Sequence, residues 1–170
     1  FDFEYTDTDK VYHCDRGLTP KQFLDKYVGS DFDDYAVIIA SPIHAVNRTY
    51  CQPFMGDVVE DGMFWLNLSQ EELEDLTIRQ LQAGEGVMFS CDCHPDGDRA
   101  NGYWDPDCFQ YGEVLGGLTF GMTKSERLLT RDSTMNHCMM FCGVNLDENG
   151  TANRWKIENS WGEESSQKGY

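Results

Sequence analysis

The chain is short of positive charge. Of its 170 residues, 13 are Lys or Arg against 30 Asp or Glu, which leaves a formal net charge of −17 at pH 7. A surface of that sign repels nucleic acid phosphates and anionic membranes. No apolar run approaches the roughly 20 residues a membrane-spanning helix needs, and no charged stretch followed by an apolar one near Phe1 marks a signal peptide. Internal repeats and low-complexity tracts are absent. An even set of cysteines is missing too: there are seven, whereas a secreted disulfide framework is more often even. Several lie inside apolar strand-like runs, where cysteine behaves as a small hydrophobe. We read them as reduced thiols in a reducing compartment, and we expect a cytoplasmic protein. What is present is a globular composition, 40% hydrophobic and 13% aromatic, with chain enough for a single core. It opens on Phe1 and closes on Lys168-Gly169-Tyr170, where a strand could begin, so we expect a part of a longer protein.

Residues 1–18 are polar and aromatic with no clean period, and we set them apart as an amino-terminal extension or the remnant of a preceding domain, before a β-rich domain over 19–170. Thr19-Pro20-Lys21-Gln22 reads as a capped helix start with Phe23, Leu24 and Tyr27 on its apolar face and Gly29 ending it. Ala36–Ala40 reads as a short buried strand. Pro42 and Pro53 bracket a loop-rich stretch around His44 and Tyr50. Met63–Leu68 is a second strand. Ser69-Gln70-Glu71-Glu72 is another capping box, opening a helix with Leu73, Leu76 and Leu81 on one face and Gly84 at its close. Val87–Cys91 is a strand, 93–112 a long loop of the kind that is often functional, and Thr123-Lys124-Ser125-Glu126 starts a third, short helix. Cys138–Leu146 and Asn153–Asn159 are strands joined through Asn149-Gly150, a strong hairpin signal because both residues accept positive φ. Helices between strands, with an antiparallel final pair, argue for an α+β domain with a bent sheet or partial barrel.

That hairpin would bring His137, at the start of one apolar run, beside Asn159, at the end of the next. An imidazole can take the proton of a thiol and later deliver it to a leaving amine. An amide oxygen can hold the other ring N–H, fixing orientation and tautomer without adding charge. Trp161 could cover that hydrogen bond and keep water from it. His and Asn are two thirds of a cysteine-protease triad. On spacing alone, a satisfied strand-end histidine and a simple turn at Asn159-Ser160-Trp161-Gly162 is the more ordinary reading. Cys91-Asp92-Cys93-His94 offers metal-capable groups, but the spacing is Cys-x-Cys-His with no second matching pair, so structural thiols fit better than zinc. His13 and His44 stand alone.

Longer stretches decide between these readings. Asn159-Ser160-Trp161-Gly162 with Gly169-Tyr170 resembles the asparagine region of papain-like cysteine peptidases, and Met135–Met139 their histidine region. Thr19–Phe23 with Tyr27-Val28-Gly29, Val87–Asp92, Asp107–Tyr111 with Gly116, Met122–Leu128 and Arg154–Glu163 are similar, in order, to the bleomycin hydrolase and bacterial aminopeptidase C branch. The resemblance runs from about Leu18 to Tyr170. It implies the antiparallel β-barrel-like half of a papain-like fold with short helices. It implies His137 as catalytic base and acid, Asn159 as its orienter and Trp161 as the ring shielding the pair, with Met135 and Asn136 lining the cleft. It further implies an aminopeptidase acting on peptides through an acyl-enzyme, without metal or organic cofactor, in a homohexameric cage.

The nucleophilic cysteine and oxyanion-hole glutamine of that family belong to an amino-terminal segment that has no counterpart here. None of the seven cysteines stands in a Gln…Cys-Trp context. Cys138 follows His137 directly, so a strand would turn its side chain to the other face, and we read it as core. The expectation is therefore the His/Asn-bearing part of a thiol aminopeptidase whose Cys-bearing domain lies elsewhere in the protein. The alternative is a catalytically silent binding or assembly module that kept the fold.

Overall fold

A computed structural model describes residues 1–29, 34–52 and 62–170. The chain divides into two compact units, Phe1–Val37 and Ile38–Tyr170. In the first, strands β1 (Phe3–Thr6) and β2 (Tyr12–Asp15) pair antiparallel, a hairpin that the unperiodic sequence had not signalled. Helix α1 (Pro20–Phe23) starts on the expected cap: Thr19 Oγ1 accepts from the Gln22 N–H, and the Gln22 side chain accepts from the Thr19 N–H. It widens into a π-turn over Leu24–Val28 and ends at Gly29, φ +86°. Aromatic rings join the hairpin to the helix. Phe3 sits 4.8 Å from Phe23 and 4.7 Å from Tyr27, and Asp15 accepts from both Lys26 and Tyr27.

The second unit begins with β3 (Ile38–Ile39), β4 (Arg48–Gln52) and β5 (Met63–Asn67), a mixed sheet ordered β3-β5-β4. Tyr50 lies within β4 and not in a loop, and Pro53 falls outside the described residues. Asn67 is fully buried, a position that costs free energy unless its amide is bonded. It is bonded throughout. Oδ1 accepts from the Ser41 N–H at 2.8 Å, and Nδ2 faces the carbonyls of Ser41, His44 and Ala45 at 3.1–3.2 Å.

Helix α2 (Gln70–Gln82) is set by the Ser69/Glu72 capping box and lies against β6 (Val87–Cys91) and β9 (His137–Leu146). Its most buried side chain is Thr77, one turn on from Leu73, whereas Leu76 is 40% exposed and sits off the expected face. The stretch read as a long loop contains its own small hairpin, β7 (Gly97–Asp98) with β8 (Tyr103–Trp104), a 3-10 turn at Pro106–Cys108 and helix α3 (Tyr111–Val114). Helix α4 (Lys124–Thr130) follows from the Thr123/Glu126 capping box.

His137 lies in the three-stranded antiparallel sheet β10-β9-β6, with β10 at Ala152–Glu158 and Asn159 next after it. The β9–β10 turn closes with Gly150 at φ +83°. The Asp147 N–H donates to the Thr151 carbonyl, and Asp147 Oδ1 accepts from the Asn149 and Thr151 N–H groups. This is the hairpin with one left-handed glycine; Asn149 keeps an ordinary φ. On the covered face, Phe89 stacks on Phe141 at 3.8 Å and Met139 is 7% exposed; on the other, Met88 is 76% exposed. The core is thinner than the composition suggests: among the described residues, Cys93 and Met139 are the only buried apolar side chains. The four sheets are open, so the α+β expectation holds while the barrel-like closure does not appear among the described residues.

Candidate active site

His137 begins β9, and Asn159 follows β10 directly. Because β9 and β10 pair along most of their length, the two side chains meet: His137 Nε2 lies 2.9 Å from Asn159 Oδ1. The proton can be assigned by local chemistry. Asn159 Oδ1 also accepts the Ser160 backbone N–H at 2.8 Å. A backbone N–H can only donate, so the atom it reaches is the amide oxygen, and His137 Nε2 must be the donor. In the neutral ring Nδ1 then carries the free lone pair. Trp161 stacks on His137 with centroids 5.2 Å apart and planes 28° apart.

The turn after β10 holds this arrangement. The Asn159 N–H donates to the Gly169 carbonyl, and the Gly169 N–H to the Ser165 carbonyl, each at 2.8 Å. Gly169 has φ +90°, and a Cβ there would lie 3.3 Å from the Gly162 carbonyl oxygen.

On the other side of β9, the approach to His137 is tied to the end of β6. Asn136 Nδ2 donates to Asp92 Oδ1 at 2.6 Å, and Asn136 Oδ1 accepts from the Cys93 N–H at 3.2 Å. Ser133 Oγ donates to Asp92 Oδ2 at 2.9 Å. Burial works to raise the Asp92 pKa, but the hydrogen bonds from Ser133, Asn136 and the His94 and Thr134 backbone outweigh it and hold the carboxyl below the usual range. The Asn136 amide is thus engaged with Asp92 and Cys93, while Met135 is 57% exposed beside it. Sequence reading passed over Asp92 as a positioning group. Its role depends on strand register, which pairs Cys91 with His137.

The same register makes Cys91 the same-face neighbour of His137. Burial, then Cys93, Asp92 and Cys138, raise its pKa. An activated nucleophile needs the opposite shift. Cys138 turns to the other face, as expected, where its Sγ lies 2.8 Å from Ser90 Oγ; it is exposed there and does not belong to the core. Cys14, Cys91, Cys93, Cys108, Cys138 and Cys142 are free thiols. Among the described residues no three His, Cys, Asp or Glu side chains converge on a common metal-sized point.

A histidine bonded to an asparagine oxygen and covered by an indole, in an α+β frame, is the arrangement of papain-like thiol peptidases. The chain belongs to the Peptidase C1-like family, whose model matches residues 1–170. It is 40% identical over 172 residues to aminopeptidase W of Lactobacillus delbrueckii subsp. lactis, covering 100% of this chain and 39% of that protein. It is 37% identical over 173 residues to aminopeptidase C of Listeria innocua, again covering 100% of this chain and 39% of the relative. The crystal structure of PepW from Lactobacillus rhamnosis superposes with a TM-score of 0.91 at 43% identity, over 100% of this chain and 38% of that one. The chain therefore spans 39% of the length of these curated relatives.

Proposed function

We propose that this chain supplies the histidine and asparagine of a cysteine aminopeptidase and that the attacking thiol comes from residues outside this sequence. The observation that carries the reading is the His137 Nε2–H···Oδ1 Asn159 bond, which leaves Nδ1 as the ring's proton acceptor. Nδ1 takes the thiol proton, and the thiolate adds to the carbonyl carbon of the first peptide bond. The tetrahedral adduct collapses as the imidazolium returns that proton to the leaving nitrogen, releasing the shortened peptide and leaving an acyl-thioester. Water, deprotonated by the same Nδ1, hydrolyses the ester and restores the thiol. Asn159 keeps the ring aligned, Trp161 shields the pair, Met135 lines the cleft, and Asn136 holds the start of β9 through Asp92. No step requires a metal or organic cofactor.

The relatives named aminopeptidases support amino-terminal peptide bonds as the substrate class. With the resemblance to the bleomycin hydrolase branch, they support a homo-oligomeric, hexameric assembly in the cytoplasm. Among the described residues no helix is long and apolar enough to cross a membrane. The test is turnover of a fluorogenic aminoacyl substrate by the full-length natural polypeptide and by its His137→Ala variant. General acid–base loss should lower the rate by about 10²–10⁴-fold with the melting temperature kept. Unchanged turnover in His137→Ala would sink the assignment. A wild-type polypeptide with no turnover and no selectively reactive thiol would favour the silent-module alternative.

A further inference from the structure

Arg99 stands out in a chain of net charge −17 because it is a cation beside the catalytic pair whose side chain forms no ion pair or hydrogen bond among the described residues. Its guanidinium lies 5.6 Å from the centre of the Trp161 ring, and Trp161 is the ring stacked on His137. The nearest acid in sequence, Asp98, is committed elsewhere: its carboxylate accepts from the Asn101 N–H at 3.2 Å and from Asn101 Nδ2 at 2.7 Å. The backbone around Arg99 is anchored to the segment that carries Trp161. Ser166 Oγ donates to the Arg99 carbonyl at 3.2 Å, and Gln167 Nε2 to the Asn101 carbonyl at 3.3 Å. At Gly102 a Cβ would come within 2.8 Å of the Ser166 Cβ. The backbone beneath the cation is anchored, and its side chain is exposed with no ion pair among the described residues.

The reaction direction says what meets it. Nε2 is tied to Asn159, so only Nδ1 can deliver a proton to the leaving nitrogen, and the leaving peptide must begin at the imidazole while the acyl part stays on the thiol. An extended chain advances roughly 3.3–3.6 Å per residue. A leaving chain that crosses the indole stacked on His137 meets the guanidinium that lies 5.6 Å from that ring.

We propose that Arg99 is a specificity residue that favours peptides with a carboxylate one or two residues after the scissile bond, either the free carboxyl terminus of a short peptide or an acidic side chain. This rests on the aminopeptidase reading above. A partly solvated pair of this kind is worth up to about fivefold in kcat/KM, and the preference shrinks with added salt.

The experiment uses the full-length enzyme and substrates sharing one accepted amino-terminal residue: a dipeptide, its carboxamide, and dipeptide amides ending in Glu or Gln. The readouts are the acid/amide and Glu/Gln ratios of kcat/KM. We expect Arg99→Met to lower at least one ratio about three- to fivefold, Arg99→Lys to keep most of it, and Arg99→Glu to invert it. The ratio that moves tells a terminal carboxylate from a side chain. Ratios unchanged in Arg99→Met and Arg99→Glu, with turnover falling equally on all substrates or not at all, would overturn the proposal. Turnover that survives His137→Ala would instead remove the underlying reading, a separate failure seen on every substrate.

Discussion

Removing the Asn159 side chain tests the geometry of the pair most directly. In Asn159→Ala two donors lose their acceptor, His137 Nε2–H at 2.9 Å and the Ser160 N–H at 2.8 Å. Ser160 is exposed, so water can replace the second bond, and we expect a melting-temperature change of no more than a few degrees. Under the proposed mechanism the ring is an imidazolium in the transition state, and its hydrogen bonds then belong to the charged class worth about 1.5–3 kcal/mol. At 1.36 kcal/mol per decade this is roughly a 10- to 150-fold fall in kcat. Trp161 still stacks on the ring, so its plane is partly kept and KM should change little. Asn159→Asp, whose oxygen can accept both N–H groups, should retain more activity than the alanine variant. The assay is steady-state hydrolysis of an aminoacyl substrate by the full-length polypeptide. A kcat equal to wild type, or a loss as large as that of His137→Ala, would refute the idea that the amide orients a separate proton carrier.

Other consequences can be checked on stability. Asn67→Leu leaves the half-buried Ser41 N–H and carbonyl without their partner, while water can reach the carbonyls of exposed His44 and Ala45; buried unsatisfied groups cost about 1–3 kcal/mol each, so urea denaturation should show a loss of at least about 1 kcal/mol, and a loss below about 0.5 kcal/mol would contradict the burial argument. Asp92 has a folded pKa held below its ordinary 3.8, so its contribution to stability is fully present above that value and fades as pH falls through the lower folded one. Asp92→Asn should therefore flatten the acid limb of the stability–pH curve, and an unchanged limb would deny the carboxylate this role. Gly102→Ala combines φ +73° with a 2.8 Å approach to the Ser166 Cβ; circular dichroism melts should show destabilisation, and a neutral result would mean that the β7–β8 hairpin is not held against the final turn.

The parts of the fold legible in the sequence are those set by local chemistry. The three capping boxes depend on residues within four positions of one another, and each helix starts where its Thr or Ser predicts. Strands β6, β9 and β10 declare themselves as apolar runs, and Asn149-Gly150 marks the turn between the last two. The pairing of His137 with Asn159 was legible because one hairpin produces it. The β1–β2 hairpin was not, since Phe3, Tyr5, Phe23 and Tyr27 make a cluster only after helix α1 has returned to the strands. Asp92 and Arg99 escaped for the same reason. One is placed by the β6–β9 register and the other by a chain return of more than sixty residues, from Arg99 to Ser166.

This contrast bears on how the site keeps its precision. The β10-β9-β6 sheet is open and thinly buried, yet catalytic groups must be held to within about 0.5 Å. On the proposed function that task falls to three polar ties from different segments: Asn159 at the end of β10, the Gly169-closed turn that presents Trp161, and the Asp92–Asn136 bond at the end of β6. Each joins groups at the surface or only partly buried, so each contributes little to global stability. Substitutions in the ties should therefore lower kcat before they lower the melting temperature. Substitutions of Met139 or Phe141 under the sheet should do the reverse, because a core change removes packing that the ties cannot restore.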